Sequence, residues 1–192
     1  MNTNPTPSTT PAETRRFVRF DRRLLAGLIA AVAAAAFLTQ AALARRPAPT
    51  VPAGLQPPPG NKVYLVGHGV GVQIFACDGA AWSFVAPRAN LFADNGQLII
   101  THFAGPSWQA RDGSTVVGRV MATATVDPTA IPWLLLSAVP APDSKSGRLH
   151  RTTFIQRVAT TGGLAPPASE CNATTAGTEK EVAYTADYYV WK

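Results

Sequence analysis

Charge and cysteine are both scarce in this chain of 192 residues, of which 15% are charged and two are cysteine. With 46% apolar residues the chain has enough hydrophobic surface for a core, which excludes a fully disordered protein. Helical patterning is missing too. From Lys62 onward no window repeats apolar residues at i, i+3, i+4 and i+7 over three turns, so a helical bundle or coiled coil is excluded. Glycine and proline together make up 17% of residues, a composition that fits turn-rich β structure.

Sequence signatures of chemistry are also thin. Gly67-His68-Gly69-Val70-Gly71 follows an apolar run, but Val72 stands where the dinucleotide fingerprint needs its last glycine, and a strand pattern follows where a helix is required. No G-x-S-x-G elbow occurs, so Ser107 reads as a loop serine. The three histidines, His68, His102 and His150, have no zinc-ligand spacing, and neither a metal nor any other cofactor is expected. The net charge of +6 falls to +3 once residues 1–44 are set aside, and no basic run is interleaved with aromatics. A nucleic-acid partner is therefore not expected.

The N-terminal region reads as an export signal. A cationic stretch from Arg15 to Arg23 leads into Leu24 to Leu38, fifteen residues without a charge, and then into Ala42-Leu43-Ala44. That order is a secretory signal with cleavage after Ala44. An uncleaved anchor is the alternative, and would be the domain's only attachment to a membrane. Arg45 to Asn61 holds six prolines in 17 residues and reads as a semi-rigid linker, or alternatively as an ordered arm lying on the domain.

Residues 62–192 read as one β domain. Candidate strands are Val63 to Val66, Val70 to Ala76, Trp82 to Ala86, Leu98 to Phe103, Thr115 to Ala124, Trp133 to Val139, Thr152 to Ala159 and Val182 to Trp191. Asp78-Gly79, Asn95-Gly96 and Asp112-Gly113 punctuate them and tolerate the positive φ of tight turns. Asp127-Pro128 reads as the start of a single helical turn. The expectation is all-β: an antiparallel sandwich or barrel of about eight to ten strands, with the sandwich as first choice. Cys77 and Cys171 fall in the exported part, where a disulfide between them would persist.

The densest polar and aromatic cluster runs from Thr101 to Ser114, from the end of one expected strand through the loop that leads to the next. His102, Trp108, Arg111 and Asp112, with Arg157 from a later strand, are the candidate ligand-binding residues. No catalytic residue can be named. Alternation places His102 on one strand face with Leu98 and Ile100, and an inward His102 would be neutral and hydrogen-bonded.

Several motifs carry a family resemblance. Gly71-Val72-Gln73-Ile74-Phe75-Ala76-Cys77-Asp78-Gly79, His102-Phe103-Ala104-Gly105-Pro106-Ser107-Trp108, Asp112-Gly113-Ser114, Ile131-Pro132-Trp133-Leu134-Leu135, Ile155-Gln156-Arg157 with Thr160-Thr161-Gly162-Gly163, and the closing Tyr184-Thr185-Ala186-Asp187-Tyr188-Tyr189 occur in this order. Together they resemble a family of secreted bacterial and fungal proteins classified as a domain of unknown function. The resemblance implies an exported β-rich protein. Some fungal relatives carry a malate-dehydrogenase-like label, which the failed dinucleotide fingerprint gives no reason to extend to this chain.

The functional expectation is a secreted or surface-tethered, non-catalytic binding or structural module. A secreted hydrolase-like enzyme, or a lectin-like binder of a small polar or carbohydrate ligand, is the alternative. The enzyme reading needs His102, Asp112 and Arg157 to meet in one cleft. An apolar-ligand barrel instead needs an open interior, not one filled by Trp133, Leu134, Leu135 and Leu136.

Overall fold

The structure, a computed structural model, describes Met1 and residues 46–192. The signal or anchor expected before Arg45 lies, Met1 apart, outside the described residues. Eight antiparallel strands form a closed barrel: β1 Val63–Cys77, β2 Trp82–Phe92, β3 Leu98–Phe103, β4 Ser107–Ala110, β5 Thr115–Ala124, β6 Trp133–Pro140, β7 Phe154–Gly162 and β8 Glu179–Trp191. Each strand pairs with the next in sequence, and β8 returns to β1 to complete the ring. Of the two expected architectures the barrel is therefore the one present. Closure leaves no edge strand to template aggregation.

Two departures from the sequence expectation bear on the site. The expected strands Val63 to Val66 and Val70 to Ala76 are one continuous strand, β1, with the glycine run from Gly67 to Gly71 in its middle, so His68 stands on a strand. Three of its residues are glycine because they face a crowded interior. A Cβ on Gly69 would lie 2.7 Å from the Tyr188 ring, and one on Gly71 would lie 2.2 Å from the Arg88 carbonyl oxygen and 2.5 Å from Ala89 Cα. Backbone cannot swing aside as a side chain can. Gly71→Ala should therefore lower stability by about 1–3 kcal/mol, the usual cost of overpacking, measured by urea unfolding; an unchanged midpoint would mean that the β1–β2 contact is looser than described. The second difference is β4: Ser107–Ala110 pairs with both β3 and β5, where a loop was expected.

The turn signals act as their chemistry requires. Gly79, Gly96 and Gly113 all have positive φ, and the Asp78 carboxylate accepts the Ala80 and Ala81 N–H groups. Asp127 likewise accepts the Thr129 N–H, but the segment closes as a turn and not as a helix.

Strand direction separates the two ends of the barrel. The β1–β2, β3–β4, β5–β6 and β7–β8 connections share one end, and the other three share the opposite end with the last residues of β8. At this second end the interior is filled. Leu65, Leu91, Ile100, Val116, Ile155 and Val190 pack together there, with Leu149 of the β6–β7 connection over them. Asp112 ties that plug down. It accepts the Ser114 hydroxyl at 2.6 Å and the Arg148 N–H at 2.7 Å, while Ser114 Oγ accepts the Leu149 N–H at 3.0 Å. These bonds, the Ser114 hydroxyl first, hold the Asp112 carboxyl down at about 2.

Residues 46–61 form an arm on the barrel. The 3₁₀ turn Ala53–Leu55 lies against β5 and β6, Leu55 is 1% exposed, and its carbonyl accepts the Gln156 side-chain N–H. This explains why β6 is apolar on both faces. Leu134 and Leu136 face the interior, while Leu135 is buried on the other face of the strand. Cys77 and Cys171 are disulfide-bonded, with Cα atoms 5.4 Å apart.

Candidate functional site

The open end of the barrel leads into a cavity of about 610 Å³. Its size falls within the usual range for small-molecule sites. The walls are mostly apolar: Phe75 from β1, Pro87 from β2, Leu134 and Leu136 from β6, and Ile131 and Leu164 from the loops. Phe84, Val85 and Val120 stand at the rim, and Phe84 is 55% exposed there. Gly118 leaves room for the Trp108 ring, whose Cζ3 would sit 2.7 Å from any Cβ at that position.

A polar layer lies deeper. His102 and Trp108 are paired across β3 and β4 and stack with their rings 4.3 Å apart, and Tyr188 meets both edge-on. His102 Nδ1 donates to the Ser107 carbonyl at 2.8 Å, which fixes the tautomer and leaves Nε2 without a hydrogen. Burial first, and then the nearby Arg157 charge, push the His102 pKa down to about 4 against the pull of the Ser107 bond, so the ring is neutral at ordinary pH. The Tyr184 and Tyr188 hydroxyls bond to each other at 2.9 Å, and burial raises both phenols, so they too are neutral.

Arg157 stands beside this layer, opposite Leu134 in the β6–β7 register. Its Nη2 donates to the Pro132 carbonyl at 2.8 Å. Among the described residues its buried Nε finds no acceptor, and neither do Gln73 Nε2 and Trp108 Nε1. All three side chains line the same cavity. Buried N–H groups are almost always paired in folded proteins, so three orphans around one cavity are informative.

Of the five residues expected to bind a ligand, His102, Trp108 and Arg157 line the cavity, whereas Arg111 and Asp112 sit on the β4–β5 turn at the filled end. The reason is strand polarity: β4 carries the chain from the open end at Trp108 to the filled end at Ala110. One short strand thus separates residues that are neighbours in sequence. His102, Asp112 and Arg157 do not meet in one cleft. Gln73 and the Tyr184–Tyr188 pair were missed. Gln73 shares its strand face with Phe75 and Cys77, and a lone amide on an otherwise apolar face is the signal that would have found it.

Among the described residues, no group of three or more His, Cys, Asp or Glu side chains is placed to hold a metal ion. Comparison with curated proteins and with solved structures finds no match. Residues 58–192 match the family described as "Protein of unknown function (DUF3455)", and the chain belongs to that family.

Proposed function

We propose that this DUF3455 protein is a non-catalytic binding module that takes a small, largely apolar ligand into the open end of its barrel. The observation that carries the reading is the cavity itself: apolar walls around a few fixed polar groups, the usual make-up of a small-molecule site. The same walls favour a hydrophobic ligand over a sugar. An enzyme reading is weakened because, among the described residues, the cavity lining places no Ser, Thr, Cys, Asp or Glu side chain beside His102 to act as nucleophile or second acid–base group.

The site of action is outside the cytoplasm. The signal-like N-terminus and the Cys77–Cys171 disulfide both support export, the second because such bonds persist in oxidising compartments.

A neutral, apolar fluorescent dye such as Nile red tests the binding reading. We expect saturable binding at one site per chain, together with a rise in melting temperature as the dye selects the folded state. Leu134→Trp, which puts an indole into the cavity from β6, should abolish dye binding while the protein stays folded. Dye binding that Leu134→Trp leaves intact, or no saturable binding at all, would overturn the proposal.

A further inference from the structure

The cavity is apolar, yet it holds a fixed positive charge. Arg157 joins none of the ion pairs formed among the described residues. Burial lowers its pKa, but a guanidinium starts so high that it keeps its proton at any ordinary pH. Among the described residues the groups around it supply no balancing charge: His102, Tyr184 and Tyr188 are all neutral. A buried charge without a counterion is strongly unfavourable, and proteins normally pair it.

The orphaned groups share one chemical property. The Arg157 Nε–H and the Trp108 indole N–H are donors only, and the unpaired atom of Gln73 is also a donor. Donors without acceptors, gathered around an unpaired cation, call for a group that only accepts and carries negative charge. An ionised carboxylate is that group, and arginine recognises it with a geometry lysine cannot match. The rim is apolar, so the remainder of the ligand is hydrocarbon-like.

We infer that the ligand is an amphipathic acid whose carboxylate pairs with Arg157 in the depth of the barrel, its apolar body running outward past Leu134 toward Phe84 and Val120. This inference rests on the binding reading above. It goes further by naming the charge and the orientation of the ligand.

Displacement of Nile red by dodecanoate and by dodecanol, which share a chain and differ in head group, tests it. The native protein should prefer the acid by about tenfold to a hundredfold, the range of a charge-assisted hydrogen bond. Arg157→Met keeps a long apolar stem and removes the charge; its preference should vanish while dodecanol still binds. Arg157→Lys keeps the charge without the planar fork, and should retain only part of the preference. If acid and alcohol displace the dye equally well from the native protein, the acid inference fails while the binding reading stands. If neither displaces it and the dye itself does not saturate, both fail. The native comparison decides the matter even if a variant does not fold.

Discussion

Cys77→Ser combined with Cys171→Ser is expected to lower the melting temperature of the domain by about 10 °C. The bond closes a loop between residues 94 apart, and the chain-entropy model assigns such a loop roughly 4.6 kcal/mol as an upper figure. Measured values commonly fall below that limit, so about 3 kcal/mol is the working expectation, and for a domain of this size each kcal/mol moves the midpoint by about 2–4 °C. The loss should also reach the cavity. Cys77 ends β1 just beyond Gln73 and Phe75, while Cys171 belongs to the β7–β8 connection that begins with Gly163, Leu164 and Ala165 at the mouth. Other ties would remain: the Cys77 N–H donates to the Thr178 carbonyl, the Gly177 N–H donates to the Cys77 carbonyl, and the Trp82 indole N–H donates to the Pro167 carbonyl. The reduced protein should therefore fold and lose affinity together with stability. Protein recovered from culture medium should begin at Arg45 and show no thiol to a labelling reagent under denaturing, non-reducing conditions. Two labelled thiols, or a melting point that the double substitution leaves unmoved, would contradict this account.

The strands were legible in the sequence wherever their chemistry was local. Leu98 to Phe103 and Thr115 to Ala124 have the expected bounds because β-branched runs between Asn-Gly and Asp-Gly turns leave few other readings. The glycines of β1 were misleading, since their cause is distant. Gly69 and Gly71 are small because of Tyr188 and Ala89, and neither neighbour is near in sequence. For β4 the obstacle was length: four residues after Gly105-Pro106 have the composition of a loop, and only pairing on both sides makes them a strand. Barrel against sandwich turned on whether β8 returns to β1, a contact between chain ends that periodicity does not encode. The cavity had the same difficulty. His102 and Trp108 stood out as a polar-aromatic pair, but that they share an interior with Arg157 and Gln73 depends on closure, and Asp112 was grouped with them through sequence proximity alone.

The acid limb of the stability profile should belong to His102. Its pKa lies at about 4 in the folded protein, below its ordinary 6.5, because burial disfavours the imidazolium. As pH falls through 6.5 the unfolded chain takes up this proton first, so the neutral ring's contribution is complete above 6.5 and is lost progressively down to about 4. A depression of that size corresponds to about 3 kcal/mol. The other shifted groups act differently. The charged form of His68 is favoured, first by Asp94 and then by Asp187, with Nε2 and Nδ1 at 2.9 Å and 2.7 Å from their carboxylates. Its pKa is raised, so its contribution is complete below 6.5 and is lost as pH rises through the folded value, and solvent screening at this half-exposed ring keeps it small. Asp112 is depressed to about 2 from its ordinary 3.8, so its contribution is lost only below 3.8, beneath the window of His102. Urea unfolding near neutrality and again near pH 4 should thus show the native protein losing about 3 kcal/mol, and His102→Gln losing much less. Glutamine can still donate to the Ser107 carbonyl, but it has no proton to gain, so the variant starts lower at neutral pH and its profile is flatter. If the variant lost as much stability as the native protein over that interval, the buried group that takes up the proton would be another one. Because His102 stacks on Trp108 in the cavity wall, its protonation would also add a second positive charge beside Arg157. Binding of a carboxylate that remains ionised should therefore favour the imidazolium of the folded ring and raise its pKa, and ligand-loaded protein should lose less stability on acidification than the empty barrel.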